Sequence, residues 1–219
     1  MSLTRRNLLM LSSGLALSAP HLAFGAPRWA TRNPSEWTPE DIDDVLNRSA
    51  WVREVQLAMP DPTPNNAGAA LGAIPSEYKA VVRWESGLPI HLARRARSRP
   101  GGDSGYVLSL SRLPIEFATA ITGGAARRQN RENVRTPETA AAIAKTSTLQ
   151  REGKTPLPAT RAEWWDADVT SRLMLYFEAG QPPIQLADKE VALVSTIGSL
   201  RLVARFYLKQ MVYRGKLEI

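Results

Sequence analysis

From Thr148 to the end of the chain, apolar residues alternate in short runs that are broken repeatedly by turn signals. Thr148 to Gln150 and Leu157 to Ala162 flank Glu152-Gly153-Lys154; Val191 to Thr196 and Leu200 to Leu208 flank Ile197-Gly198-Ser199. Leu173 to Glu178 reads as a further strand, and Arg214-Gly215-Lys216 bends the segment from Tyr213 to Ile219. Alternation with a period of two gives each strand one apolar face. Connections this short return the chain beside itself, so neighbouring strands are antiparallel.

The first half mixes element types. Thr38-Pro39-Glu40-Asp41 is a helix start, with a hydroxyl cap, proline in the first turn and carboxylates at the positive end of the dipole. Ile42, Val45 and Leu46 then form one apolar stripe, and the helix is expected to end near 47–49. Trp51 to Leu57 follows as a strand with 51, 55 and 57 on one face. In the strand from Tyr78 to Glu85, Ala80, Val82 and Trp84 oppose Val81, Arg83 and Glu85, which puts Trp84 in the core and the two charges outward. Leu88 to Arg97 is predicted helical, Tyr106 to Leu113 a strand, Ile115 to Gly123 a short helix, and Thr136-Pro137-Glu138 opens an Ala-rich helix to Lys145. Proline- and glycine-rich stretches predict loops near 60–75 and 98–105. The expected fold class is α+β: a mainly antiparallel sheet of about seven strands with three or four helices packed on it.

The N-terminus constrains address rather than fold. Arg5-Arg6 precedes a moderately apolar run, Leu8 to Leu17, and Ala23 and Gly25 are small residues where a signal peptidase reads. Residues 1–25 are thus expected to be a twin-arginine export signal cut between Gly25 and Ala26, leaving 26–219 as a single α+β domain in a periplasmic or secreted location. No stretch after residue 25 is apolar enough to span a bilayer, since Arg205 and Lys209 interrupt even the C-terminal one. The chain has no cysteine, which excludes disulfides, thiolate catalysis and Cys-ligated metals. Of its two histidines, His21 lies in the leader, so His91 alone cannot build a three-His site or an HExxH protease. No cofactor is expected.

Charge is unevenly placed. The chain carries +7, and loss of Arg5 and Arg6 with the leader takes it to +5. The stretch 94–135 holds nine arginines against Asp103, Glu116 and Glu132, an excess of +6. Arg94, Arg95, Arg97, Arg99, Arg127 and Arg128 are therefore candidate anion-binding residues. Outside the cytoplasm the matching partners are an anionic polysaccharide, a lipid head group or an acidic protein. Nucleic acid is not expected, because only Tyr106 and Phe117 interleave the stretch for base stacking.

Two segments could carry chemistry. Arg83-Trp84-Glu85-Ser86 with His91 offers a Ser86 nucleophile, a His91 base, and Glu85 or Asp103 to orient it, but no GxSxG elbow surrounds the serine. A strand with Trp84 in the core explains those residues more simply. Glu163-Trp164-Trp165-Asp166-Ala167-Asp168 offers paired carboxylates, a calcium loop or an aromatic sugar platform. Its simplest reading is a turn whose tryptophans cap the core.

The blocks "WTPEDIDDVLNRSAWVREV", "VVRWESGLPIHLA", "TSTLQREGKTPLPATR" and "VARFYLKQMVYRGKLEI" resemble a group of uncharacterised secreted proteins common in Acidobacteria. Ala50 stands where the resemblance leads one to expect proline, and Gly87 where it leads one to expect alanine. The resemblance implies export and one shared fold, and it brings no activity, cofactor or catalytic residue. The expected function is an exported, non-enzymatic binding or structural domain of the cell envelope that contacts an anionic partner. The alternative is a carboxylate-dependent hydrolase of extracellular or envelope glycan, using Glu85, Glu163 or Asp166.

Overall fold

A computed structural model describes residues 27–57, 79–94, 105–113, 135–167, 170–197 and 200–219, with the backbone alone at 166, 167 and 170. Four α-helices fall among the described residues: α1 (Arg28–Thr31), α2 (Pro39–Asn47), α3 (Leu88–Arg94) and α4 (Pro137–Lys145). Eight strands form one sheet: β1 (Val52–Gln56), β2 (Lys79–Trp84), β3 (Gly105–Ser111), β4 (Ser147–Gln150), β5 (Leu157–Ala167), β6 (Thr170–Glu178), β7 (Glu190–Ile197) and β8 (Leu200–Tyr207). Their lateral order is β1-β2-β3-β6-β5-β4-β7-β8, and every pair is antiparallel. A separate ribbon pairs β9 (Val212–Tyr213) with β10 (Lys216–Leu217). Arg214 and Gly215 both take positive φ, 50° and 80°, which is the left-handed pair a two-residue hairpin turn requires.

Local chemistry explains the helix starts. The Thr38 hydroxyl accepts the Asp41 amide while the Asp41 carboxylate accepts the Thr38 amide, so two orphan donors of α2 are satisfied reciprocally. Thr136 and Thr139 repeat the arrangement at α4. At α2 the Thr38 amide, with the Arg32 guanidinium, holds the Asp41 carboxyl below its ordinary range.

The expected α+β architecture with a mainly antiparallel sheet is present, but in two respects the expectation is corrected. The sheet holds eight strands rather than about seven, and it curls until its edges meet, giving a nearly closed, barrel-like wall. The segment 163–167, expected as a turn, is the end of β5, a long strand in a hairpin with β6. It extends because successive side chains alternate: Trp164 packs against the core while Glu163 and Trp165 turn to the other face.

One main core fills the concave side, where Trp84 stacks edge-on against Phe206 at 5.2 Å and Tyr106 at 5.8 Å. Where β1 meets β8 no ladder forms. Instead the Arg53 guanidinium crosses the seam: its Nε donates to the Arg205 carbonyl at 2.9 Å and its carbon lies 5.5 Å from the Phe206 ring centroid. One end is closed by Trp29, Trp37, Trp51 and Tyr213, with ring separations of 6.0 to 6.1 Å. The Trp51 indole N–H donates to the Glu218 carbonyl, tying the first strand to the C-terminus. A Cβ at Gly87 would sit 2.3 Å from Cδ1 of Trp51, so the alanine that the resemblance led one to expect there has no room.

Candidate functional site

Strands β2, β3 and β6 read Lys-Ala-Val-Val-Arg-Trp, Gly-Tyr-Val-Leu-Ser-Leu-Ser and Thr-Ser-Arg-Leu-Met-Leu-Tyr-Phe-Glu. Their apolar residues are nearly continuous, and both faces are buried as a result. On the convex face Val107, Met174 and Tyr176 form a second, small core. Cross-strand register lays Arg83, Ser109, Met174 and Glu163 in one row over that face. Charges placed here cannot reach bulk water freely, and the sequence-based expectation that Arg83 and Glu85 point to solvent is corrected. Arg83 and Glu85 are buried, at 9% and 1% exposure.

Glu85 is the centre of a cage of arginines. Its Oε1 accepts from Arg94 at 2.8 Å and from the Ser109 hydroxyl at 2.5 Å. Arg83 stands 3.6 Å away and Arg172 4.0 Å away. Helix α3 supplies Arg94 from its last turn, and α2 anchors Arg83, whose Nε donates to the Leu46 carbonyl at 2.8 Å. Three guanidiniums therefore face one carboxylate, an excess of two positive charges in a site where the three arginine side chains are 11, 24 and 16% exposed. Burial pulls the Arg94 guanidinium down to about 10; Glu85 opposes this while the like charges of Arg172 and Arg83 add to it. Burial lowers Arg83 in the same way. The second oxygen of Glu85, Oε2, and the Arg172 Nε are buried without a hydrogen-bond partner among the described residues.

A second carboxylate lies further along the same face. The Tyr176 hydroxyl and the Trp165 indole N–H (2.9 Å) both donate to Oε1 of Glu163, while Arg161 reaches Oε2 at 3.1 Å. The Arg161 guanidinium also lies 3.4 Å over the Tyr176 ring. The hydrogen bond from Tyr176 lowers the Glu163 pKa. Burial, reinforced by that carboxylate, pushes Tyr176 up to about 12. The Trp165 indole remains 47% exposed.

Of the arginines singled out in the sequence, Arg94 lies in the cage. Arg95, Arg97, Arg99, Arg127 and Arg128 fall outside the described residues, as do Asp103 and the export elements Arg5, Arg6, Gly25 and Ala26. Ser86 is fully buried and its hydroxyl accepts the Val107 amide at 3.1 Å, which shuts it away from any substrate. Glu85 lies in the turn just after β2 and Glu163 on β5, and those two strands are three strand spacings apart, roughly 14 Å of backbone separation. Among the described residues no three His, Asp or Glu side chains converge as metal ligands. Arg172, Ser109 and Tyr176 did not stand out in the sequence, and Arg83 did so only within the Arg83–Ser86 cluster, where it is expected to face outward. The signal that could have marked them is the unbroken apolar run around each, which announces a strand buried on both faces.

No protein family, curated protein or solved structure matches this chain.

Proposed function

We propose that this chain is an exported, non-enzymatic binding domain of the cell envelope that meets an anionic partner through arginine. The observation that carries this reading is the unbalanced cage, in which one carboxylate neutralises one of three guanidiniums. Two surplus charges in a largely desolvated place attract an anion more strongly than the same charges on an open surface. Arginine also offers the planar, two-pronged donor set that suits carboxylate and phosphate. The surplus at the cage adds to the dense arginine content of 94–135.

Retention of the full chain on a heparin matrix across a salt series tests the reading. Retention should fall steeply with salt, and Arg172→Gln should elute at lower salt than the parent. Salt-independent retention, or an Arg172→Gln profile identical to the parent's, would remove this function.

A further inference from the structure

The exposed indole of Trp165 is held in place by groups that do not bury it. Its N–H is fixed on Glu163, and Glu163 is fixed in turn by Tyr176 and Arg161. A large aromatic surface that is half exposed yet immobilised has already lost the rotamer freedom that binding would otherwise remove, so its open face is preorganised for stacking. Directly across the strand pair from Trp165 stands Arg172. Arg172 is also the least engaged member of the cage. Its 4.0 Å approach to Glu85 is the longest of the three, and its Nε lacks a partner among the described residues. Arg94 and Arg83, in contrast, each make hydrogen bonds within the fold.

We propose that this face binds a carboxylated glycan, with a uronic-acid ring stacked on Trp165 and its carboxylate held by Arg172. The inference rests on the anion-binding reading above and narrows it to one ligand class. Directly opposed cross-strand residues have Cβ atoms about 4.5 to 5.5 Å apart, and the Arg172 side chain extends from there towards Glu85, on the side away from β5, so the carboxylate of a ring on the indole is directed to that side. The C–H face of the sugar lies on the indole while the ring carboxylate reaches the neighbouring guanidinium. Glu163, at the edge of the indole, accepts from sugar hydroxyls. A nucleic-acid strand takes several adjacent stacking platforms, whereas the other exposed large aromatic among the described residues, Tyr207, stands on β8, three strand positions from β5.

Calorimetric titration of the full chain with tetragalacturonate, maltotetraose, linear polyphosphate and a four-residue thymidine oligonucleotide decides the matter. Tetragalacturonate should bind and shift the tryptophan emission, with maltotetraose about tenfold or more weaker. Trp165→Ala should weaken tetragalacturonate about tenfold while leaving polyphosphate within about twofold; Arg172→Gln should weaken both. Trp165→Phe, which keeps a stacking face, should restore part of the loss and shows that the alanine variant is not merely misfolded. If Trp165→Ala leaves tetragalacturonate unaffected, or if maltotetraose or the oligonucleotide binds as tightly, the glycan inference falls while the anion-binding reading stands. If neither tetragalacturonate nor polyphosphate binds, both fall together.

Discussion

The wall has two halves that treat the same pair of residue types in opposite ways. In β7 and β8, Glu190 meets Arg205 at 2.5 Å with both side chains open to water, 29 and 62% exposed. Between the end of β2 and α3, Glu85 meets Arg94 at 2.8 Å with the carboxylate sealed from water. Strand burial explains the contrast. Along β7 and β8 every second residue is at least partly wet, whereas β2 and β3 are buried on both faces over nearly their whole length. An ion pair on the wet half is screened and contributes roughly 0 to 1 kcal/mol. One on the dry half is expensive to assemble and more expensive to break, because its survivor is left charged in a poor solvent.

The contrast can be broken most forcefully at its centre. Glu85→Gln leaves three buried guanidiniums without a counter-charge and should cost about 3–5 kcal/mol in urea unfolding. A loss below 1 kcal/mol would mean that the cage is solvated after all. Removing the neutral donor in Ser109→Ala leaves the carboxylate short of one hydrogen bond and should cost about 1–3 kcal/mol by the same measurement.

The Glu163 network sharpens the comparison through pH. Because Tyr176 is raised to about 12, its contribution to stability is complete below the ordinary tyrosine value near 10 and is lost as pH rises through about 12. Because Glu163 is lowered, its contribution is complete above the ordinary carboxylate value and is lost as pH falls through the depressed one. Ultraviolet titration of the five tyrosines should show a late step near 12 that Tyr176→Phe removes. The smallest effect belongs to the wet half: Glu190→Gln should change unfolding by no more than about 0.5 kcal/mol. A larger loss there would erase the distinction between the halves.

The fold was legible wherever local chemistry acts alone. Both Thr-Pro helix starts and the turns at Gly153 and Gly215 were readable, because caps and left-handed residues depend on a few neighbours. Closure of the sheet was not, since it depends on β1 meeting a strand some 150 residues later, at the Arg53–Arg205 hydrogen bond. Both strands of the β5–β6 hairpin were legible, but the reach of β5 to Ala167 was not, because the charged and aromatic residues from 163 onward mimic the composition of a turn. For the site, Arg94 stood out by charge density, whereas Arg83 and Glu85 were assigned to solvent. Alternation says which side of a strand a residue takes. Only the apolar residues beside them, Val81, Val107 and Met174, reveal that the second side is covered as well.

The guanidinium that spans β1 and β8 has a consequence for how the wall behaves as a whole. Each edge strand shields the other from recruiting a foreign strand, yet they meet through the Arg53 side chain and not through a row of paired amides. Amide exchange should therefore begin along that line and spread outward, making it the natural hinge of a cylinder that is otherwise laced together.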